Sequence, residues 1–472
     1  MNHTLRSIGP TSFVAVFALA GAFACSSTSS DANDGGTNNG DASGSSSGSG
    51  SGNDTDSGST GDTGSTADSG STKDSGSTAD TGTTSDTGIP SEGGTPVTFR
   101  AITLFGDSER VTGAYCTDAH TCVVTTDPFG EAGHIYASDG TTITGTMVTG
   151  DDTFAATFNT IGTVSFLGVS SVGGKVIARV IDAEEAFVTA PGSSMTTAAS
   201  WTGVAGASNA TDFGLNEQHG WATNGTRWTL LTAGRVWEAT SAPGPTTAWT
   251  NVFSPQAVPP IPADIDAQRT ADPTLCDTDP SVEVSPDLAQ AVYVAADGSL
   301  IVTPSGAVNQ NGDDTAGVCI SLDGGHTFHH AEFTGVALGA GPVGVHCTSK
   351  DHCVAYGGVP NNAGSAYVYV SNNASMGATS TWTTATTPAL PEDTELRAVA
   401  FAPDAMTGWL VGSTAAKGSL LFTTTDGGAT WINATSTITS LTGDNPLHSV
   451  YAFDATHVWI GGENDTLIAS GN

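Results

Sequence analysis

One tight turn between two β-rich runs occurs twice in the chain, and it constrains the fold more than any other feature. One copy reads Gly418-Ser-Leu-Leu-Phe-Thr-Thr-Thr-Asp-Gly-Gly-Ala-Thr-Trp431, the other Val318-Cys-Ile-Ser-Leu-Asp-Gly-Gly-His-Thr-Phe328. In each, an Asp (Asp426, Asp323) is placed to turn its carboxylate onto nearby backbone N–H groups and close a hairpin. The glycines that follow, Gly428 and Gly325 among them, accept positive φ at little steric cost. Thr430 and Thr327 offer a hydroxyl to the same turn. Trp431 and Phe328 then supply a large apolar anchor between packed sheets. A recurring unit of this kind points to a repeat protein.

From about residue 96 onward, runs of Val, Ile, Phe, Tyr, Trp and Thr alternate with Gly, Asp, Asn and Pro turns. No long 3.6-residue apolar period is present, so helices are expected to be scarce. Many short strands with even turn signals mean a sandwich, a barrel or a propeller. The units decide between these: 111–150, 164–204, 212–253, 281–333, 344–386, 396–435 and 447–472. A period of about fifty residues suits a four-stranded blade with its loops. The expectation is an all-β β-propeller over residues 96–472 with seven blades; six or eight stay open because the middle units are weakly marked. The last unit is short, with three strands: Ser449-Val-Tyr-Ala-Phe453, His457-Val-Trp-Ile-Gly-Gly462 and Thr466-Leu-Ile-Ala469. A ring must close, so the missing strand is expected from Val97–Phe105.

The cysteines carry a second pattern. Tyr115-Cys-Thr-Asp-Ala-His-Thr-Cys122 and His346-Cys-Thr-Ser-Lys-Asp-His-Cys353 share one form, a Cys-Thr, a polar turn and a second Cys before an apolar strand. Disulfides Cys116–Cys122 and Cys347–Cys353 are expected to staple equivalent hairpins. Cys276 and Cys319 then remain to close the long loop between them. The alternative is zinc held with His120 and His352, but neither copy has zinc-motif spacing. Nothing in the sequence calls for a metal or another cofactor.

Upstream, residues 1–24 read as a signal peptide: Arg6, then an apolar run of roughly Ser12 to Ala24, too short for an ordinary spanning helix. The run ends Ala22-Phe-Ala-Cys25-Ser-Ser, which resembles a bacterial lipoprotein processing site, with Ala22 where Leu usually stands. That resemblance implies lipidation of Cys25 and anchorage to a membrane, since each acyl chain contributes about 0.8 kcal/mol per buried CH₂. Ser26 after the Cys implies the outer membrane, facing the cell surface or the periplasm. Cleavage by ordinary signal peptidase after Ala24, giving a secreted protein, is the alternative. Residues 25–95 are a Gly/Ser/Thr/Asp tether that cannot bury enough surface to offset ordering. Asp56, Asp62, Asp68, Asp74, Asp80 and Asp86 recur there every six residues. No apolar residue accompanies them to build a calcium-binding β-roll, so a charged spacer is expected.

The chain has 47 acids against 12 Lys plus Arg, a formal charge of -35. Without a basic patch, nucleic acid is excluded as a partner. Six cysteines beyond Cys25 fit an oxidising compartment.

The Ser/Thr-x-Asp-x-Gly-x-Thr-Trp/Phe pattern resembles the Asp-box of sialidase-like (BNR-repeat) propellers, where it is structural and sits away from the active-site face. Cys347 to Gly357 and Asp426 to Trp431 are similar to exported relatives of photosystem II assembly-factor-like propellers. That resemblance implies a non-enzymatic binding or assembly protein, with an extracellular protein or glycan as partner. The alternatives are a sialidase-like glycoside hydrolase and a purely structural surface protein. The hydrolase needs an arginine triad, a Tyr–Glu pair and an Asp. Phe99-Arg100-Ala-Ile is similar to that family's first arginine motif without its Pro, and nothing places three arginines on one face. Two further segments are weighed as loops. Asn309–Asp314 is oxygen-rich but lacks calcium-loop spacing. The Pro-rich stretch bearing Asp264, Asp266, Asp272, Asp277 and Asp279 is the longest insertion, placed to lie over one mouth of the ring as a recognition surface.

Overall fold

β-Branched and aromatic runs a few residues long, punctuated by Asx and glycine turns, fold as short antiparallel strands that need cover on both faces. The computed structural model describes residues 97–471 apart from 105–108, 129–131, 151–163, 182–186, 205–219, 233–234, 244–246, 254–271, 273, 277–283, 287–291, 308–315, 336–341, 359–365, 392 and 415–417. The segments expected to be a signal peptide and a tether, Cys25, and residues 309–314 lie outside the described residues.

The strands form seven sheets, which are the blades of a β-propeller. The chain enters through β1 (Phe99–Ala101). Blade I holds β2 (Glu109–Asp118), β3 (Thr121–Pro128), β4 (His134–Ser138) and β5 (Ile143–Thr149). Blade II holds β6 (Ser165–Val172), β7 (Lys175–Ile181), β8 (Phe187–Pro191) and β9 (Thr202–Val204). Blade III holds β10 (Trp221–Thr223), β11 (Trp228–Thr232), β12 (Arg235–Ala239) and β13 (Thr250–Phe253). In blade IV the inner position is divided between β14 (Val284–Pro286) and β15 (Tyr293–Val294), both paired with β16 (Ile301–Ala307), followed by β17 (Gly317–Ser321) and β18 (His329–Glu332). Blade V holds β19 (Pro342–Cys347), β20 (Cys353–Gly357), β21 (Tyr367–Ser371) and β22 (Trp382–Thr384). Blade VI holds β23 (Thr394–Phe401), β24 (Gly408–Thr414), β25 (Ser419–Thr424) and β26 (Ile432–Asn433). Blade VII holds β27 (Leu447–Ala452), β28 (Val458–Gly462) and β29 (Leu467–Ser470). Its fourth strand is β1, antiparallel to β29 with Phe99 opposite Ser470, Arg100 opposite Ala469 and Ala101 opposite Ile468. The strand missing from the last unit thus comes from the front of the head, as expected.

The cores lie between blades. Trp201 and Phe166 fill the I–II seam, Phe253 and Phe328 the III–IV seam, and Phe333 and Trp382 the IV–V seam. Trp431 and Phe401 fill V–VI, Trp409 and Phe99 fill VI–VII, and Trp459 with Tyr136 fills VII–I. The II–III seam is thinner, with Ile177 and Val204 buried against Val172 and Trp221.

The Asp-Gly-Gly turns hold those anchors. Asp323 Oδ1 accepts the His326 and Thr327 N–H groups (both 3.0 Å), and Oδ2 accepts the Thr327 hydroxyl (2.7 Å). Asp426 Oδ1 accepts the Thr430 N–H and the Thr424 hydroxyl (both 2.8 Å). Burial opposes ionisation of both carboxyls, but these hydrogen bonds outweigh it and hold them below the usual carboxylate range. Gly325 and Gly428 have φ of +95° and +87°. A Cβ on either would press into the preceding blade, 2.8 Å from Val236 and 3.0 Å from Val354 respectively.

Three disulfides are formed: Cys116–Cys122, Cys276–Cys319 and Cys347–Cys353. The two short ones close first-to-second-strand hairpins of blades I and V. Of the segment around Cys276, Asp272 and Thr274–Cys276 are described. Thr274–Cys276 runs along β18, the outer strand of blade IV, through His330 N–H to Thr274 O (2.6 Å) and Cys276 N–H to Phe328 O (2.8 Å). The disulfide to Cys319 fixes it there.

Two outcomes are expected in denaturant unfolding. Trp431→Ala, which empties the V–VI seam, lowers stability by about 3–5 kcal/mol. By the loop-entropy relation, Cys276→Ser/Cys319→Ser costs roughly 4 kcal/mol and Cys116→Ser/Cys122→Ser only about 2, because the closed loop is shorter.

Candidate functional site

The inner strands of all seven blades surround one cavity on the propeller axis, of about 290 Å³. Its lining is mixed: Val169, Val345, Val399 and Val450 alternate with Thr112, Ser170, His346, His448 and Ser449. Trp221 and Tyr451 add aromatic surface, and Arg179 adds a guanidinium that is 8% exposed.

A repeated irregularity shapes this lining. In blades I, II, V, VI and VII the inner strand carries a register shift at one equivalent place, leaving Thr112, Leu167, Val343, Arg397 and His448 as the extra residue. A bulge re-aims side chains and bends the strand, so five blades apply the same device next to the axis. A small residue follows each bulge: Gly113, Gly168, Gly344, Ala398 and Ser449.

The bulges of blades VI and VII, with the start of β2 in blade I, gather three ion-paired side chains at one mouth of the channel. Arg397 bonds Glu395 (2.6 Å) and His448 Nε2 meets Glu463 (3.2 Å). Arg110 pairs with Asp127. The three pairs feel one another: burial, then Arg397 and Arg110, bring the His448 pKa down to about 4 against the opposing pull of Glu463. His448 is therefore neutral at pH 7 and donates to Glu463. His346 is likewise lowered to about 4, by burial and then by nearby His352. The mouth thus offers two guanidinium groups and a neutral imidazole, each beside a carboxylate acceptor.

The sequence placed no three arginines on one face, and of the described arginines Arg179 lines the axial cavity while Arg110 and Arg397 lie near His448 at its mouth. Arg100 lies on the outer strand β1, where its guanidinium binds the Gly471 and Gly140 carbonyls. It stitches blade VII to blade I, away from the channel. Arg227 pairs with Glu238 in blade III (2.8 Å). A Tyr–Glu pair does exist: the Tyr136 hydroxyl donates to Glu109 (2.7 Å). Both residues are 1% exposed, in the VII–I core, and burial drives the Tyr136 hydroxyl far above its usual pKa. It is a structural hydrogen bond rather than a nucleophile.

In an antiparallel meander the first-to-second and third-to-fourth turns share one rim, and the inner strands begin at the other. Asp323, Thr327, Asp426 and Thr430 therefore occupy the rim opposite the Arg110–Arg397–His448 mouth. Sequence reading missed the companion turns at Asp404, Asp454 and Asn224, each accepting N–H groups two and three residues ahead. Their signal was a bare Asx with a Thr nearby. His120 and His352 bind carbonyls of Asp139 (3.3 Å) and Gly427 (2.8 Å), and the cysteines beside them are disulfide-bonded. Among the described residues no group of His, Cys, Asp and Glu is arranged to hold a metal. Of the insertion acids Asp272 is described; it caps Thr274 (2.6 Å) and meets His329 (3.2 Å) on the blade edge. Asp264, Asp266, Asp277 and Asp279 lie outside the described residues.

Fold and channel define the class: a seven-bladed, disulfide-stapled β-propeller with a lined axial channel. No family model and no curated protein matches the sequence. Among solved structures, YCF48 from Cyanidioschyzon merolae aligns at 11% identity with a TM-score of 0.52, over 79% of this chain and 98% of its own. A GH74 xyloglucanase from Xanthomonas campestris aligns at 15% and 0.46, over 78% and 53%. A virginiamycin B lyase from Staphylococcus aureus aligns at 10% and 0.47, over 79% and 99%. What the chain shares with YCF48 is the propeller architecture.

The buried imidazoles set a pH dependence. His330, His346 and His448 are all lowered to about 4, so the unfolded chain binds more protons than the folded one between that value and 6.5. Stability is expected to fall as pH drops from 6.5 to 4, with the lowered carboxylates adding to the loss only from about pH 5 down. Thermal melts across that window should flatten in a His330→Gln/His346→Gln/His448→Gln variant.

Proposed function

We propose that the head is a non-enzymatic binding module whose site is the axial channel and its Arg110–Arg397–His448 mouth. The observation that carries this is the state of the arginines: at the mouth, Arg110 and Arg397 each sit beside a carboxylate of their own. A hydrolase of the sialidase type converges its arginines on a substrate carboxylate. Here the pairs present donors and acceptors side by side. That arrangement suits a polar, uncharged or zwitterionic group, such as the hydroxyl-rich end of a glycan or a stretch of peptide main chain. Trp221 and Tyr451 give such a ligand an apolar face to rest on. The cavity admits one such group, with the remainder of the ligand outside.

The N-terminal sequence supports a place for this module: exported, acylated at Cys25 and held off a membrane by the charged tether. An extracellular protein or glycan is then the partner within reach.

The test uses the full chain on arrays of defined glycans and unmodified peptides. Wild type is expected to select a subset, and Ser170→Trp, which fills the channel from an exposed lining position, to lose at least tenfold in signal while melting within a few degrees of wild type. Equal binding by the blocked variant, or turnover of a bound glycan by wild type, would sink the proposal.

A further inference from the structure

Every outer strand but one belongs to a blade whose chain runs on in both directions. β5, β9, β13, β18, β22 and β26 cannot leave without dragging a neighbouring blade. β1 is different. Among the described residues it is joined to the ring only through β2, and it fills its place with three paired residues against β29 and an Ile102 N–H bond to Leu467 O (2.8 Å). Its side chains alternate in use. Phe99 enters the VI–VII core, Ile102 and Leu104 enter the VII–I core, and Thr98, Ala101 and Thr103 face solvent. Arg100 clips the strand to Gly471 and Gly140.

We infer that the β29 edge is an exchangeable strand-acceptor site, and that its second occupant is β1 of another copy of this chain. The edge of β29 presents main-chain donors and acceptors at fixed register. The flanking cores present slots for apolar residues spaced as Phe99, Ile102 and Leu104. A ligand for this site is an extended segment with that spacing, and main-chain pairing plus alternate pockets is a known mode of recognition. The sequence best matched to both cores is 97–104 itself, so a second copy is the occupant the site selects. Exchange needs no other blade to open, and swapping an identical element preserves every native contact. The closed ring and the linked pair are therefore built from the same interactions. This site lies at the blade edge and is independent of the channel.

The experiment adds a fluorescent synthetic peptide spanning 97–104 to the full chain. A Phe99→Ala/Arg100→Ala chain, whose own strand is loosened, is expected to bind it saturably and at least tenfold more tightly than a peptide carrying Phe99→Ala. Wild-type chains bearing two different tags, incubated together at high concentration just below the melting transition, are expected to form a mixed dimer that excess peptide suppresses. Hydrogen exchange on the wild type guards against a misfolded variant: amides of Leu467–Ser470 should open before those of β28. Peptide binding without a mixed dimer would overturn the second copy as occupant. Absence of peptide binding, with β29 and β28 opening together, would overturn the acceptor site itself.

Discussion

Ring closure is the constraint on which everything else depends. A blade is a twisted four-stranded sheet with both faces apolar, so no blade can bury itself. Each is stable only between two neighbours, and a linear row would leave two faces in water. The chain answers with seven inter-blade cores and a last blade completed by its first strand. Phe99 and Trp409 on one side of that blade, and Ile102 with Trp459 on the other, join the two ends of the head. Arg100 adds a polar clip where hydrophobic contact alone would leave the strand end free to fray. The Asp turns serve the same closure: by fixing Phe328 and Trp431 they fix the angle at which one blade meets the preceding one.

The channel is a consequence of that geometry, and its chemistry is a local departure from it. Inner strands pack so closely that small residues are needed, as where Gly113 approaches the backbone of Gly168 and Val169. Bulges next to those small residues aim side chains at a place where no neighbouring sheet can cover them. In a chain poor in cations, Arg179 lines the cavity and Arg110 and Arg397 lie near His448 at its mouth. The carboxylates of Asp127 and Glu395 keep the mouth from becoming an anion sink and set acceptors beside the guanidinium donors. His448 stays neutral because burial and the nearby Arg397 and Arg110 disfavour its charge more than Glu463 restores, and His346 because burial and nearby His352 do.

Much of the architecture was legible in the residues because it rests on local signals. Asp-Gly-Gly turns, Cys-Thr hairpins and closing aromatics each act within a few residues, and the three-stranded last unit states its own deficit. The site was less legible because it is non-local. Arg110, Arg397 and His448 lie on strands from different ends of the head, and no spacing rule relates them. Arg100 shows the same limit: its sequence context is similar to a ligand-binding arginine motif, while the strand that carries it is on the outside of the ring.

Hydrogen exchange with and without an array-selected ligand tests the central claim most directly, because it reports on every blade at once. If the channel is the binding site, added protection falls on the inner strands, at 109–114, 394–399 and 447–451, and leaves the outer strands unchanged. Protection confined to the rim of Asp323 and Asp426, or to the outer edges of the blades, would contradict it and move the site off the axis.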